Sequence, residues 1–131
     1  MEVTAGTVFC DQIRIENNGK FLIIGAYSAE IASAVRPASM YLSTFTQIYG
    51  LPAGYHNVKA IVSYATATMA RELGSIETTV EVNRPDLPAS IYPQGLFVEA
   101  DEPGIIKIEL VINDDKRVSA GCVGVAFPNP A

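Results

Sequence analysis

His56 is the one histidine in the chain, and so the first candidate for a base poised near neutral pH. It follows Leu51-Pro52-Ala53-Gly54-Tyr55, a turn sequence, where an imidazole is expected to be solvated and not catalytic. A cysteine nucleophile would need Cys10 or Cys122 beside that imidazole, and nothing local to either residue marks an activated thiolate. Two cysteines and one histidine are too few and too scattered for a structural zinc site. Two readings of the thiols stay open: reduced, buried small hydrophobes, or a bond between the first and last strands. Asp101-Glu102 and Asp114-Asp115 offer carboxylates to calcium. The strand-like segment 105–113 holds them ~30 Å apart at ~3.3 Å per residue, so they cannot share an ion. Neither turn alone has the ligand count of a calcium cage, and solvated turns are the expectation. The glycines sit singly at turns, apart from Gly121 and Gly124 in a strand-like run, so no loop cradles a phosphate. No catalytic residue, cofactor or metal ligand is assigned, and the chain is expected not to be an enzyme.

Asp11 is the odd acidic residue. It shares parity with the apolar Phe9 and Ile13, which makes it a candidate structural buried carboxylate. Such a group must be paired or accept backbone donors, so Asp11 is either a fastener within the fold or part of a ligand-facing rim. Arg14 and Glu16 share a strand face, with Lys20 just past the next turn, and form an expected surface charge cluster worth only a few tenths of a kcal/mol.

The elements that position these residues are strands. Ile106, Ile108, Leu110 and Ile112 alternate with Lys107, Glu109 and Val111; Ile76, Thr78, Val80 and Val82 alternate with Glu77, Thr79, Glu81 and Asn83. Val58, Ala60, Val62 and Tyr64 repeat the pattern, as do Phe9, Ile13 and Ile15. Alternation with one wet face indicates antiparallel sheet. Asn17-Asn18-Gly19 makes a tight hairpin into 21–27, while 51–54, 101–104 and 113–116 supply further turns. Turns at this spacing favour a sandwich or a barrel. Residues 66–73, TATMAREL, allow either a short helix ending at Gly74 or a wide turn between neighbouring strands. Pro85, Pro88 and Pro93 exclude a central strand from 84–95, which is expected to cross from one sheet to the other.

Composition narrows the function classes. Of 131 residues, 49% are apolar and only 18% charged, which excludes disorder as the main state. A net charge of −5 without a basic block argues against nucleic-acid binding. No leader-like segment and no apolar run of ~20 residues is visible, so no membrane partner and a cytoplasmic location are expected.

The opening run VFCDQIRIENNGKFLIIGAYSAEI resembles a family of small, mostly bacterial and phage-associated proteins of uncharacterised function. The resemblance rests on Phe9, Cys10, Asp11, Ile13, Arg14, Glu16, Gly19, Lys20, Ile24, Gly25 and Tyr27, within about the first thirty residues. It implies an immunoglobulin-like sandwich with no assigned activity and transfers no catalytic residue. The expected architecture is all-β: one domain over 1–131, an antiparallel sandwich of seven to nine strands with Greek-key connections.

Protein contact is the remaining class. Tyr41, Phe45 and Tyr49 share one face of a strand whose other face carries Met40, Leu42 and Ile48. The aromatic face is either an interface or covered by the long crossover. An edge strand within 29–39 would have only Glu30, Arg36 and Pro37 to discourage pairing with another chain. A self-associating binding or assembly module, a homo-oligomer with an unknown protein partner, is the first expectation, and a phage- or prophage-type structural or adaptor role fits it. The alternative is a calcium-dependent ligand binder, or a small enzyme, using the end loops.

Overall fold

The computed structural model describes residues 2–128; Met1 and residues 129–131, which the one-domain reading takes in, lie outside the described residues. Along them run β1 (Thr4–Cys10), β2 (Gln12–Ile15), β3 (Phe21–Ile24), β4 (Glu30–Ala32), β5 (Ala38–Tyr49), β6 (Gly54–Ala65), β7 (Ala70–Val82), β8 (Ala89–Ile91), β9 (Leu96–Ala100), β10 (Gly104–Ile112) and β11 (Lys116–Ala126). The protein is all-β. No helix is long and apolar enough to cross a membrane among the described residues. Eleven strands are more than turn spacing alone suggests, because a bend at Asp11 divides β1 from β2 and because the short β4 and β8 form inside connecting segments.

One sheet is organised by β5. It pairs antiparallel with β1, from Thr4 opposite Tyr49 to Cys10 opposite Ser43, with β8 at residues 46–48, and with β9 at residues 38–42. A second sheet has the order β4-β11-β10-β6-β7, antiparallel except where β4 lies parallel to β11. Between the two sheets lies one apolar cluster, with Leu42 and Ile48 from β5 meeting Tyr64 from β6, Ile106 and Leu110 from β10 and Val123 from β11. The even-numbered residues of β5 and β6 fill it, as strand alternation requires. The hairpin β2–β3 is a third, separate sheet, with Ile13 opposite Ile23.

The turns follow their chemistry. Gly19 takes a φ of 81° in the β2–β3 connection, and the Glu16 N–H donates to the Lys20 carbonyl at 2.7 Å. Asn113 and Asp114 adopt φ of 52° and 66° between β10 and β11, a conformation that these two residue types tolerate best among non-glycines. Of residues 66–73, 66–69 form a turn and 70–73 already belong to β7, so the segment is not a helix. Thr66 Oγ1 accepts from the Thr68 and Met69 N–H groups, so its side chain replaces the backbone acceptor that a helix would use. The proline-rich stretch 84–95 does carry the chain from β7 in the second sheet to β8 and β9 in the first.

Candidate functional site

The odd-numbered residues of β5 point away from the core. Tyr41 is 68% exposed and packs against Phe97 of β9, its cross-strand partner, with ring centroids 5.5 Å apart and the ring planes tilted by 59°. Tyr49, at the other end of the strand, is 46% exposed. Phe45 lies between them but is half-buried, because Phe21 of the hairpin packs on it at 4.8 Å, and Tyr92 of the crossover packs on Phe21 at 4.9 Å. The three aromatic residues are therefore on one face, as alternation predicts, with two open and the middle one covered. Of the outward side chains of β1, β5, β8 and β9, Glu99 alone is charged.

Beneath the hairpin lies a small satellite core. Cys10 and Ile13 are buried there, and the Ile13 N–H donates to Gln94 Oε1 of the crossover at 3.2 Å. Ser43 is buried beside Cys10; its hydroxyl donates to the Asp11 carbonyl and accepts from the Gly95 N–H. These contacts tie the hairpin to the outer face of the first sheet.

Asp11 is exposed at the bend and not buried, a correction to the parity reading. The bend resets the alternation, so Phe9 enters the main core while Ile13 enters the satellite core and the carboxylate between them reaches solvent. It still fastens: Asp11 Oδ1 accepts from the Tyr27 hydroxyl at 2.7 Å, and its N–H donates to the Ile24 and Gly25 carbonyls. Gly25 has a φ of 68°, and a Cβ there would collide with the Asp11 carboxylate. Phe9, Cys10, Asp11, Gly25 and Tyr27 of the opening motif thus form one structural knot, closed by the Tyr27 N–H donating to the Phe9 carbonyl at 2.8 Å. By contrast, Arg14, Glu16 and Lys20 make no ion pair among the described residues; the cations that do are Arg84, with Asp86, and Arg117, with Glu109.

Partial burial, then the bond and charge of Asp11, push the Tyr27 phenol from 10.0 up to about 12. The folded state therefore holds this proton more tightly than the unfolded chain. The resulting stabilisation is whole below pH 10 and is lost as pH rises from 10 towards 12. Urea unfolding of wild type and Tyr27→Phe should differ at pH 8 and converge across that window.

His56 is buried at the start of β6, not solvated in a turn. Its Nε2 lies 2.7 Å from the Pro52 carbonyl and its Nδ1 3.0 Å from Asn113 Nδ2, contacts that describe a neutral ring protonated at Nε2. Both nitrogens are occupied, which fits a structural tie between two end loops. The two cysteines are unbonded. Cys10 is buried, and burial followed by the Asp11 charge raises its thiol pKa. Cys122 is exposed on β11 opposite Lys107, contrary to the reading of both as buried. A disulfide-forming colour reagent should therefore titrate one thiol in the native protein and two in denaturant; two fast native thiols would mean the hairpin does not cover Cys10. The acidic pairs Asp101-Glu102 and Asp114-Asp115 fall at opposite ends of β10. No three His, Cys, Asp or Glu side chains converge on one point among the described residues.

Sequence reasoning missed Phe97 and Ile76. Phe97 lies in the five-residue β9, too short for alternation to orient it, and only its register with Tyr41 reveals the exposed aromatic pair. Ile76 has core parity but is 46% exposed, at the rim of a cleft that it lines with Pro93. No protein-family model and no curated protein matches this chain.

Proposed function

We propose that this chain is a non-enzymatic assembly module, an immunoglobulin-like sandwich that associates with a second copy of itself through the outward face of β5. A structural or adaptor role of phage or prophage type is the setting we infer from the resemblance of its first thirty residues. The observation that carries the proposal is the exposure of Tyr41, Phe97 and Tyr49, 68%, 51% and 46%, on either side of the hairpin and on strands with one outward charged side chain. Tyrosine and phenylalanine bring large contact area at low entropic cost and are enriched where protein surfaces meet. A chain of net charge −5 repels its own copies, and the strands of this face outside the hairpin, with Glu99 their one outward charge, are where two of them can approach. The same face on both partners is the arrangement a two-fold dimer needs.

The test is Tyr41→Ser with Tyr49→Ser, examined by light scattering at high micromolar concentration. Wild type is expected at the mass of an oligomer and the double variant at that of a monomer, with an unchanged circular-dichroism spectrum. A monomeric wild type, or an oligomer indifferent to both substitutions, overturns the proposal.

A further inference from the structure

At Gly74 of β7 the two sheets meet, with Leu96 of β9 where a Cβ would stand; beyond it, towards Val80, β7 and the crossover leave a cleft. A groove of about 550 Å³ runs there between Ile76 and Val80 of β7 and Ile91 and Pro93 of the crossover. At Ile76 it continues into an apolar pocket of about 270 Å³ that reaches Leu42 and Leu96. β7 pairs with β6 from Ala70 to Val82, and no strand pairs with its other edge among the described residues. That edge presents backbone donors and acceptors beside a mixed floor, apolar at Ile76 and polar at Thr78 and Ser90, and an open edge with a side-chain pocket is what strand addition uses. Its outward side chains over 75–81 are Ser75, Glu77, Thr79 and Glu81, two carboxylates and no cation. Glu77 accepts from Asn57 Nδ2, and neither acid makes an ion pair among the described residues.

We propose that this groove receives an extended peptide segment of another protein, added as a strand along β7, with apolar side chains facing Ile76 and Lys or Arg side chains facing Glu77 and Glu81. Opposite charges across neighbouring strands stabilise pairing, and like charges oppose it. The acids that select a cationic segment also disfavour a second copy: antiparallel self-pairing centred on Glu77 sets Glu77 against Glu77, and centring on Thr79 sets Glu77 against Glu81. The open edge from Ser75 to Glu81 suits a segment of about seven residues, or ~23 Å at strand rise. This site is separate from the β5 face and stands whether or not that face self-associates.

The probe is a fluorescein-labelled nine-residue peptide of alternating Val and Lys, followed by fluorescence anisotropy at 0.15 M salt. Wild type is expected to bind it, and N-methylation of alternate peptide bonds, in one register or the other, to abolish binding while keeping the charge. Glu77→Lys with Glu81→Lys is expected to weaken binding at least about tenfold and to gain affinity for the matching Val–Glu peptide. Melting curves on the double variant check that it is folded. Absence of binding to wild type, equal binding of every N-methylated peptide, or indifference to the charge reversal overturns the proposal. So does a change of oligomeric mass on charge reversal, which would place a second copy in the groove. Tyr41→Ser with Tyr49→Ser should leave peptide binding intact, so failure at either surface is read separately.

Discussion

Tyr64→Ala is expected to lower the free energy of unfolding by about 3–5 kcal/mol, as truncation of a buried aromatic does, with Tyr64→Phe losing only about 1–2 kcal/mol. Tyr64 is the largest side chain with no exposed surface, and it stands in β6 between the neighbours that join β6 to β7 and β10. Its ring fills the core, while its hydroxyl donates to the Glu102 carbonyl and accepts from the Glu102 N–H at 3.3 Å. The hydroxyl thereby pins the turn between β9 and β10. Arg71 of β7 covers the ring, its guanidinium carbon 5.4 Å from the ring centre. The Ala variant loses both packing and the turn anchor; the Phe variant keeps the packing and leaves the Glu102 backbone to solvent. Urea unfolding at constant m separates the two. Equal losses in both variants would mean that the hydroxyl, and not the ring, carries the contribution.

Alternation made the long strands legible. The strands β6, β7, β10 and most of β5 each have one face that must be apolar, and parity alone separates Leu42 and Ile48 from Tyr41 and Tyr49. The hairpin turn was legible for a similar reason, since few residues other than glycine accept the φ of Gly19. What could not be read was placement across distance. Asp11 has the parity of a core residue, yet a single bend puts its carboxylate in solvent beside Tyr27, sixteen residues on. His56 sits in turn-like sequence, but its burial comes from Asn113, whose side chain arrives from the far end of β10. The covering of Phe45 depends on Phe21 and Tyr92, which no local pattern links to it. Likewise the groove beside β7 depends on how the crossover lies against that strand, which the local pattern of neither segment reports. Periodicity reports which side of a strand is dry; it does not report what lies over the other side.

Phe21→Ala is expected to release the β2–β3 hairpin at a cost of about 2 kcal/mol, below the range for a fully buried phenylalanine because the ring is only half-buried. Phe21 is the aromatic contact that joins the hairpin to both β5 and the crossover, through Phe45 and Tyr92, beside the polar ties of Ile13 and Asp11. A two-stranded hairpin has little stability of its own and holds its form only while it is packed on something. Loss of the ring should therefore appear first as local opening. The Ile13 amide, bonded to Gln94, and the Asp11 amide, bonded to the Ile24 and Gly25 carbonyls, should lose hydrogen-exchange protection while the β10 amides keep theirs. The same opening should bring Cys10 into reach of a thiol reagent, an independent reading of the same event. If β10 loses protection in step with Ile13, the hairpin is an integral part of the core and not a cover laid over the aromatic strip. If only the hairpin opens, Phe45 joins Tyr41 and Tyr49 in solvent and the three form one continuous apolar band, so the variant should associate with itself more strongly than wild type wherever the β5 face is the contact surface.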